Sequence, residues 1–135
     1  MTFSLRVARY AAILAVPFAL LSSAEGAFDW EAPVTIFNQT TDELIDHEVR
    51  IVLTNQNFST GYSRMQPDGD DLIVLDENGV PIPHYTREWR VDKDLGDSVL
   101  WVRVPRIPPF PQTTRLTLRF GDPAAESASN PRDVF

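Results

Sequence analysis

Hydrophobic and polar residues alternate in short segments along most of the chain, and a period of two is typical of β-strands. The alternation is clearest in residues 99–104 and 116–120, which we predict to be strands lying next to each other. The apolar positions of these two segments share one face and should form the centre of the core: Leu100, Val102, Val104, Leu116, Leu118 and Phe120. No window shows the apolar spacing of an amphipathic helix over three turns. The pattern predicts an all-β fold, a small antiparallel β-sandwich of the jelly-roll or immunoglobulin-like kind.

Weaker alternation predicts further strands in residues 34–38 and 49–53. Residues 55–70 are polar and contain Gly and Pro, so we predict a long loop there. The sequence Asp76-Glu77-Asn78-Gly79 separates two apolar segments, and Asn-Gly supplies the positive φ that a tight hairpin turn requires.

The beginning of the chain has the organisation of a secretory signal peptide. Arg6 and Arg9 precede an apolar run at residues 10–21, and Ser22-Ser23-Ala24 supplies small residues for cleavage. A membrane-spanning helix needs about 20 apolar residues, more than this run offers, although a retained N-terminal anchor is the alternative. We predict a helical signal peptide at residues 1–24 and a periplasmic or extracellular protein.

Charge and cysteine content narrow the possible functions of the exported chain. The leader holds two of the 12 basic residues and none of the 19 acidic ones, so the remainder carries a formal charge of −9. Phosphate backbones repel such a chain, and nucleic acid is therefore not an expected partner. The absence of cysteine excludes thiol catalysis, thiolate metal sites and disulfides. The length suits one sandwich domain at residues 25–125, with residues 126–135 beginning a linker to a further domain.

Three aromatic residues are the candidate ligand-binding residues: Trp101, Tyr85 and Trp89. Aromatic faces cover the apolar patches of sugar rings, so a carbohydrate platform is one interpretation of these residues. The other is ordinary packing in the core and on the sheet. Trp101 falls on the face opposite Leu100 and Val102.

Two acidic loops offer hard oxygen ligands of the kind that calcium prefers. The stronger candidate metal residues are Asp92, Asp94 and Asp97, although their spacing departs from a helix-loop-helix calcium site and solvated turn acids are the alternative. We expect no other cofactor.

Glu88 lies within an otherwise apolar segment and needs a cation if it is buried. We predict an ion pair with Arg50, Arg103 or Arg119. The alternative, a glycosidase acid, requires a second carboxylate that the sequence does not identify. Because no nucleophile, base and orienting group occur together in a motif, we predict no catalytic residues and no enzyme activity.

Several motifs together resemble a domain of unknown function found fused to MotA/TolQ/ExbB proton-channel proteins, often beside a concanavalin-A-like lectin domain. They begin with Trp30 and its strand and continue with Val49-Arg50-Ile51-Val52-Leu53, Asp70-Asp71-Leu72, Asp76-Glu77-Asn78-Gly79, Ile82-Pro83, Tyr85, Glu88-Trp89, Trp101-Val102-Arg103-Val104-Pro105 and Phe120-Gly121-Asp122-Pro123-Ala124. The resemblance spans nearly all of the chain after the leader, and it implies no established catalytic residue.

The resemblance implies a non-catalytic extracytoplasmic binding or spacer module of an ExbB/TolQ-type envelope transport protein. A carbohydrate-binding module of a secreted or surface protein is the alternative. The expected partners are accordingly envelope proteins or polysaccharide. Membrane association would come only from helices further along the parent protein or from an uncleaved leader.

Overall fold

A computed structural model describes residues 28–91 and 97–135 in full, and the backbone alone of residues 2–6, 10–15 and 19–20. The elements in chain order are β1 (Thr2–Arg6), β2 (Tyr10–Ala15), β3 (Ala19–Leu20), β4 (Trp30–Asn38), β5 (Leu44–Leu53), α1 (Ser59–Tyr62), β6 (Ile73–Leu75), β7 (His84–Glu88), β8 (Ser98–Ile107), β9 (Thr113–Phe120) and α2 (Pro131–Val134).

Two antiparallel sheets face each other, one with the order β4-β9-β6, which the leader strands extend beyond β4, and the other with three strands in the order β5-β8-β7. This arrangement confirms the predicted all-β sandwich. The prediction that β8 and β9 lie next to each other was wrong, because they belong to opposite sheets. Residues 108–112 carry the chain from one sheet to the other, so the apolar faces of the two strands meet across the core. Alternation specifies which face is apolar and is the same for both arrangements.

The predicted core is confirmed, since each of its six residues is at most 1% exposed. The neighbouring strand β5 adds three more buried residues to the core face of the β5-β8-β7 sheet: Val49, Ile51 and Leu53. On β4, Val34 and Ile36 are fully buried against this layer. One continuous apolar cluster therefore holds the two sheets together.

The segment predicted as a polar loop, residues 55–70, contains α1 and two of the best-packed aromatic rings. The Phe58 ring is fully buried and lies edge-on to both Phe120 and Tyr62, with ring centroids 5.2 Å apart in each pair. The Tyr62 hydroxyl lies 2.9 Å from the Leu53 carbonyl oxygen and 2.7 Å from Ser98 Oγ. The loop thus closes one end of the sandwich and adds to its core.

The predicted turn at residues 76–79 is present, with Gly79 at a φ of 77°. The Asp76 carboxylate accepts hydrogen bonds from the backbone N–H groups of Asn78 and Val80 at 2.8 and 2.9 Å. After the turn, the Ile82 N–H donates to the Val74 carbonyl at 2.9 Å, and the chain then crosses to β7 in the second sheet.

The described parts of the leader form strands and not the predicted helix: β2 and β3 pair antiparallel with β4, and β1 pairs with β2. An apolar segment satisfies its backbone hydrogen bonds equally well in a sheet when a free strand edge is available. Removal of residues 1–24 on export stays a prediction. Among the helices of the described residues, none has the length and apolar character needed to cross a membrane.

Candidate functional site

The candidate site is the outer face of the β5-β8-β7 sheet. Arg50, Trp101 and Tyr85 occupy one cross-strand row on this face, because Trp101 is the register partner of both of the others. All three side chains are half-buried. The structure therefore brings together two of the predicted ligand-binding residues, and we call Trp101 and Tyr85 the aromatic row.

The end of the described chain packs onto this face. The Phe135 ring meets Trp101 and Tyr85 edge-on, with centroid distances of 5.6 and 6.3 Å. Val134 is fully buried, whereas Phe135 keeps 61% of its surface exposed. The aromatic row is thus partly covered by the chain itself.

Hydrogen bonds fasten residues 129–135 along β7 and β8. Ser129 Oγ accepts from the Thr86 N–H at 2.8 Å, and the Asn130 N–H donates to the His84 carbonyl at 2.9 Å. An Arg103 Nη1–H donates to the carbonyl of Val134 at 2.9 Å. The segment predicted to begin a linker therefore lies against the sandwich.

Trp89, the third predicted aromatic, lies away from the aromatic row. Its ring packs against the core and meets Tyr62 edge-on at a centroid distance of 5.4 Å. Gly69 passes so close that a Cβ added there would overlap the Trp89 ring. Trp89 Nε1 is buried without a hydrogen-bond partner among the described residues. A β-bulge between Thr86 and Glu88 separates Trp89 from the alternation that places Tyr85 outward.

The three predicted metal ligands are only partly described. Asp92 and Asp94 lie outside the described residues, and Asp97 is exposed directly before β8. Within residues 28–91 and 97–135, no three acidic or histidine side chains are grouped as a metal site requires.

Glu88 pairs with Arg90, at 3.0 Å, and both side chains are about half exposed, at 40% and 44% respectively. The ion pair was predicted, but its partner was not. Arg103 lies 3.8 Å from Glu48, and Arg119 lies 3.9 Å from Glu31. The β-bulge between Thr86 and Glu88 explains why Glu88 has a different partner from the one predicted. It shifts the alternation of side chains, so Glu88 does not point where a regular strand would place it.

Asp71 is a residue whose role the sequence did not reveal. Its carboxylate is 1% exposed and accepts from the Gln66 N–H at 2.9 Å and from the Gly121 N–H at 3.1 Å. The Gln66 side-chain amide donates in turn to the carbonyls of Asp122 and Ala125. Two motifs that carried the family resemblance, Asp-Asp-Leu and Gly-Asp-Pro, are thus joined by one buried carboxylate.

A family model, described as the domain of unknown function DUF2341, matches residues 68–135. The chain belongs to this family. No curated protein and no solved structure shows significant similarity to it. The DUF2341 match includes β6 to β9 and α2, and with them Asp71, Gly121 and the aromatic row. Within the matched region, the motifs Asp-Asp-Leu and Gly-Asp-Pro hold loops together through the contacts of Asp71.

Replacing Asp71 with Asn should lower the free energy of unfolding by about 1 to 3 kcal/mol, because one of the two backbone donors would then face the new amide N–H₂ group and lose its acceptor. Urea melts of the variant measure the loss. Asp70→Asn is the matched control, since its half-buried side chain makes no such bridge, and it should stay within about 0.5 kcal/mol of the parent protein. Equal losses in the two variants would contradict the bridging role.

Burial of His84, which is 4% exposed, lowers the pKa of its imidazole to about 4. The fold therefore favours the neutral ring, while the unfolded chain takes up a proton below about pH 6.5. The contribution of His84 to the free energy of unfolding is therefore fully present above pH 6.5. It decreases as the pH falls, by about 2 kcal/mol at pH 5 and by about 3 kcal/mol below pH 4.

Urea melts at pH 7.5, 6 and 5 test this expectation, and His84→Gln should remove the dependence because glutamine takes up no proton. Burial raises the pKa of the Asp71 carboxyl, so this group stabilises the fold as the pH falls. It therefore cannot account for a loss of stability in acid. An unchanged slope in His84→Gln would assign the acid sensitivity to other groups.

An open cavity of about 190 Å³ lies between the 76–79 turn and the ends of β8 and β9. Asp76, Arg106 and Thr114 contribute its polar lining. This volume is below the roughly 300 Å³ at which small-molecule sites begin. The outer sheet face is therefore the stronger candidate for a functional surface.

Proposed function

We propose that this DUF2341 chain is an exported, non-catalytic module of an ExbB/TolQ-type envelope transport protein, where it serves as a binding or spacer domain in the periplasm or outside the cell. The leader pattern at residues 1–24 and the resemblance to domains fused to proton-channel proteins support the proposal. The DUF2341 match supports the domain part of that resemblance.

The observation that carries the proposal is the fastening of residues 129–135 to the outer face of the β5-β8-β7 sheet. A spacer transmits position only if its connection to a neighbouring domain is stiff, and this segment is held by hydrogen bonds from Thr86, Asn130 and Arg103 and by the burial of Val134. A segment held in this way would orient a domain attached to it.

The gene provides the direct test of the proposal. Three apolar spans of channel type encoded beyond residue 135 would support the transport protein. A hydrolase or an adhesin repeat in their place would support a secreted surface protein and overturn the transport assignment. The amino terminus of the exported protein tests the leader separately, since a mature chain beginning at Met1 would exclude cleavage.

A carbohydrate-binding module is the second candidate, favoured by the adjacency of Trp101 and Tyr85 on an outer sheet face. If it is correct, calorimetry with peptidoglycan fragments and soluble polysaccharides should detect binding that Trp101→Ala weakens at least tenfold, at about 1.4 kcal/mol per tenfold. Arg115→Ala, on the other sheet, is the control and should bind normally. Binding that survives Trp101→Ala would exclude the platform.

The absence of catalysis is tested on the same substrates. We expect no cleavage of peptidoglycan or polysaccharide, since Glu88 is held by Arg90 and Asp71 by two backbone N–H groups. Turnover that disappears in Glu88→Gln would overturn the non-catalytic assignment.

A further inference from the structure

The edges of the two sheets differ in how they are protected. A strand edge exposes unpaired N–H and C=O groups that can pair with another chain, so soluble proteins cover or interrupt their edges. Without the leader strands, the sandwich has four such edges, at β4 and β6 in one sheet and at β5 and β7 in the other.

The edges of β6 and β7 are covered by neighbouring chain. Leu75 of β6 forms a bridge with Pro81, and the Ile82 N–H donates to Val74. On β7, the segment that begins at Ser129 covers the strand, and Ser129 Oγ accepts from the backbone N–H of Thr86.

The edge of β5 is interrupted in its conformation. Asp46 has a φ of 48°, a left-handed conformation that breaks a regular strand edge. Asp46 has no register partner on β8, although the register is the same on both sides of it, with Ile45 opposite Arg106 and His47 opposite Val104. A local break in the extended conformation makes an edge strand a poorer partner for another strand.

The edge of β4 is the regular one. Val34 and Ile36 point into the core and are fully buried. Asn38 is also fully buried, and its side chain bonds Thr40 and Asp42. The outer edge of residues 34–38 is occupied by the leader itself, with Tyr10 opposite Asn38 and Leu14 opposite Val34 in an antiparallel register.

Pro33 limits this edge on its other side. β2 pairs with residues 34–38 and β3 with Trp30 and Glu31, so among the described parts of the leader nothing is in register with Ala32 and Pro33. Proline has no N–H to donate to a neighbouring strand. Residues 34–38 are therefore the part of this edge that can pair with another strand.

We propose that residues 34–38 of β4 are a strand-acceptor site, which binds an extended, uncharged and predominantly apolar segment of a partner envelope protein once the leader has been removed. The proposal rests on the proposed function, because it requires export with cleavage. The sequence of the segment paired there in the structure, Tyr10-Ala11-Ala12-Ile13-Leu14, defines the chemistry of the occupant. A second copy of the chain is a poorer occupant, since each mature copy carries a formal charge of −9.

Hydrogen exchange tests whether the edge opens. The full chain is produced once in an export-deficient strain, with its leader, and once through export, and the amino terminus of each product is determined by mass spectrometry. In residues 34–38, the N–H groups that face the leader alternate with those that face β9. We expect the amides that face the leader to exchange at least tenfold faster in the processed protein. The amides of the central strand β9 are the control and should remain protected in both.

A synthetic peptide of residues 9–15 with a solubilising lysine tail then serves as the probe. It should bind the processed protein, restore the protection of residues 34–38 and leave the unprocessed chain unbound. A peptide carrying Ala12→Pro and Ile13→Pro is the matched control and should bind at least tenfold more weakly, because one of these two neighbouring N–H groups faces β4.

The failures of the two proposals are distinguishable. An exported protein that begins at Met1 overturns cleavage, and with it the partner strand, because the leader stays in place. A correctly cleaved protein that binds both peptides equally, or neither, overturns the strand-acceptor site alone. A cleaved protein that is dimeric by light scattering and protected at residues 34–38 without peptide identifies a second copy as the occupant and also overturns the partner assignment.

Discussion

Replacing Phe58 with Ala is expected to lower the free energy of unfolding by about 3 to 5 kcal/mol, the largest effect of any single substitution considered for this protein. The ring is fully buried and lies edge-on to Phe120 and Tyr62, so its removal leaves a cavity and breaks two aromatic contacts. Gly61 packs directly against the same ring, and because it has no side chain it cannot fill the space that the ring leaves.

Urea denaturation followed by tryptophan fluorescence measures this loss. Phe58→Leu is the control for volume and should lose much less, because it retains most of the buried apolar surface. A loss below about 1 kcal/mol for Phe58→Ala would mean that residues 55–62 do not belong to the cooperative core.

Replacing Leu118 with Ala should lower the free energy of unfolding by about 2 to 5 kcal/mol. Leu118 is fully buried at the centre of β9, where it is flanked by Ala32 of β4 and Val74 of β6 in the same layer. Because the strand is paired on both sides, its backbone has little freedom to move into the space left by the missing side chain.

Ile45→Ala provides the matched control for this second substitution. Ile45 is 60% exposed on β5, so the loss of its side chain should change stability by less than about 0.5 kcal/mol. Equal losses for Leu118→Ala and Ile45→Ala would place Leu118 outside the core and contradict the assigned strand faces.

The two strand faces around these residues could be predicted from the sequence because they depend on local order alone. In a strand, successive side chains point to opposite faces, so the parity of Leu116, Leu118 and Phe120 placed all three in the core before any partner was known. The turn at Asn78-Gly79 was equally local. The class of fold followed, because strands with one apolar face need a second sheet to cover it.

The candidate site was less predictable, because it depends on which strands are neighbours. Trp101 was correctly placed opposite the core, but its adjacency to Tyr85 follows from the register of β7 with β8. Trp89 shares its residue type with Trp101, yet the bulge before it sends its ring towards Tyr62. Neither register nor a bulge has a signature in the alternation itself.

The sequence by itself thus determined the two central strands β8 and β9, their faces and the all-β class, since each of these depends on neighbours in the chain. Only the tertiary structure decided that β8 and β9 lie in opposite sheets, that Phe58 enters the core from a polar segment, and that Asp71 joins Gln66 to Gly121. These features depend on contacts between residues far apart in sequence. Such contacts depend on how the chain fills its core and pairs most of its buried polar groups at the same time.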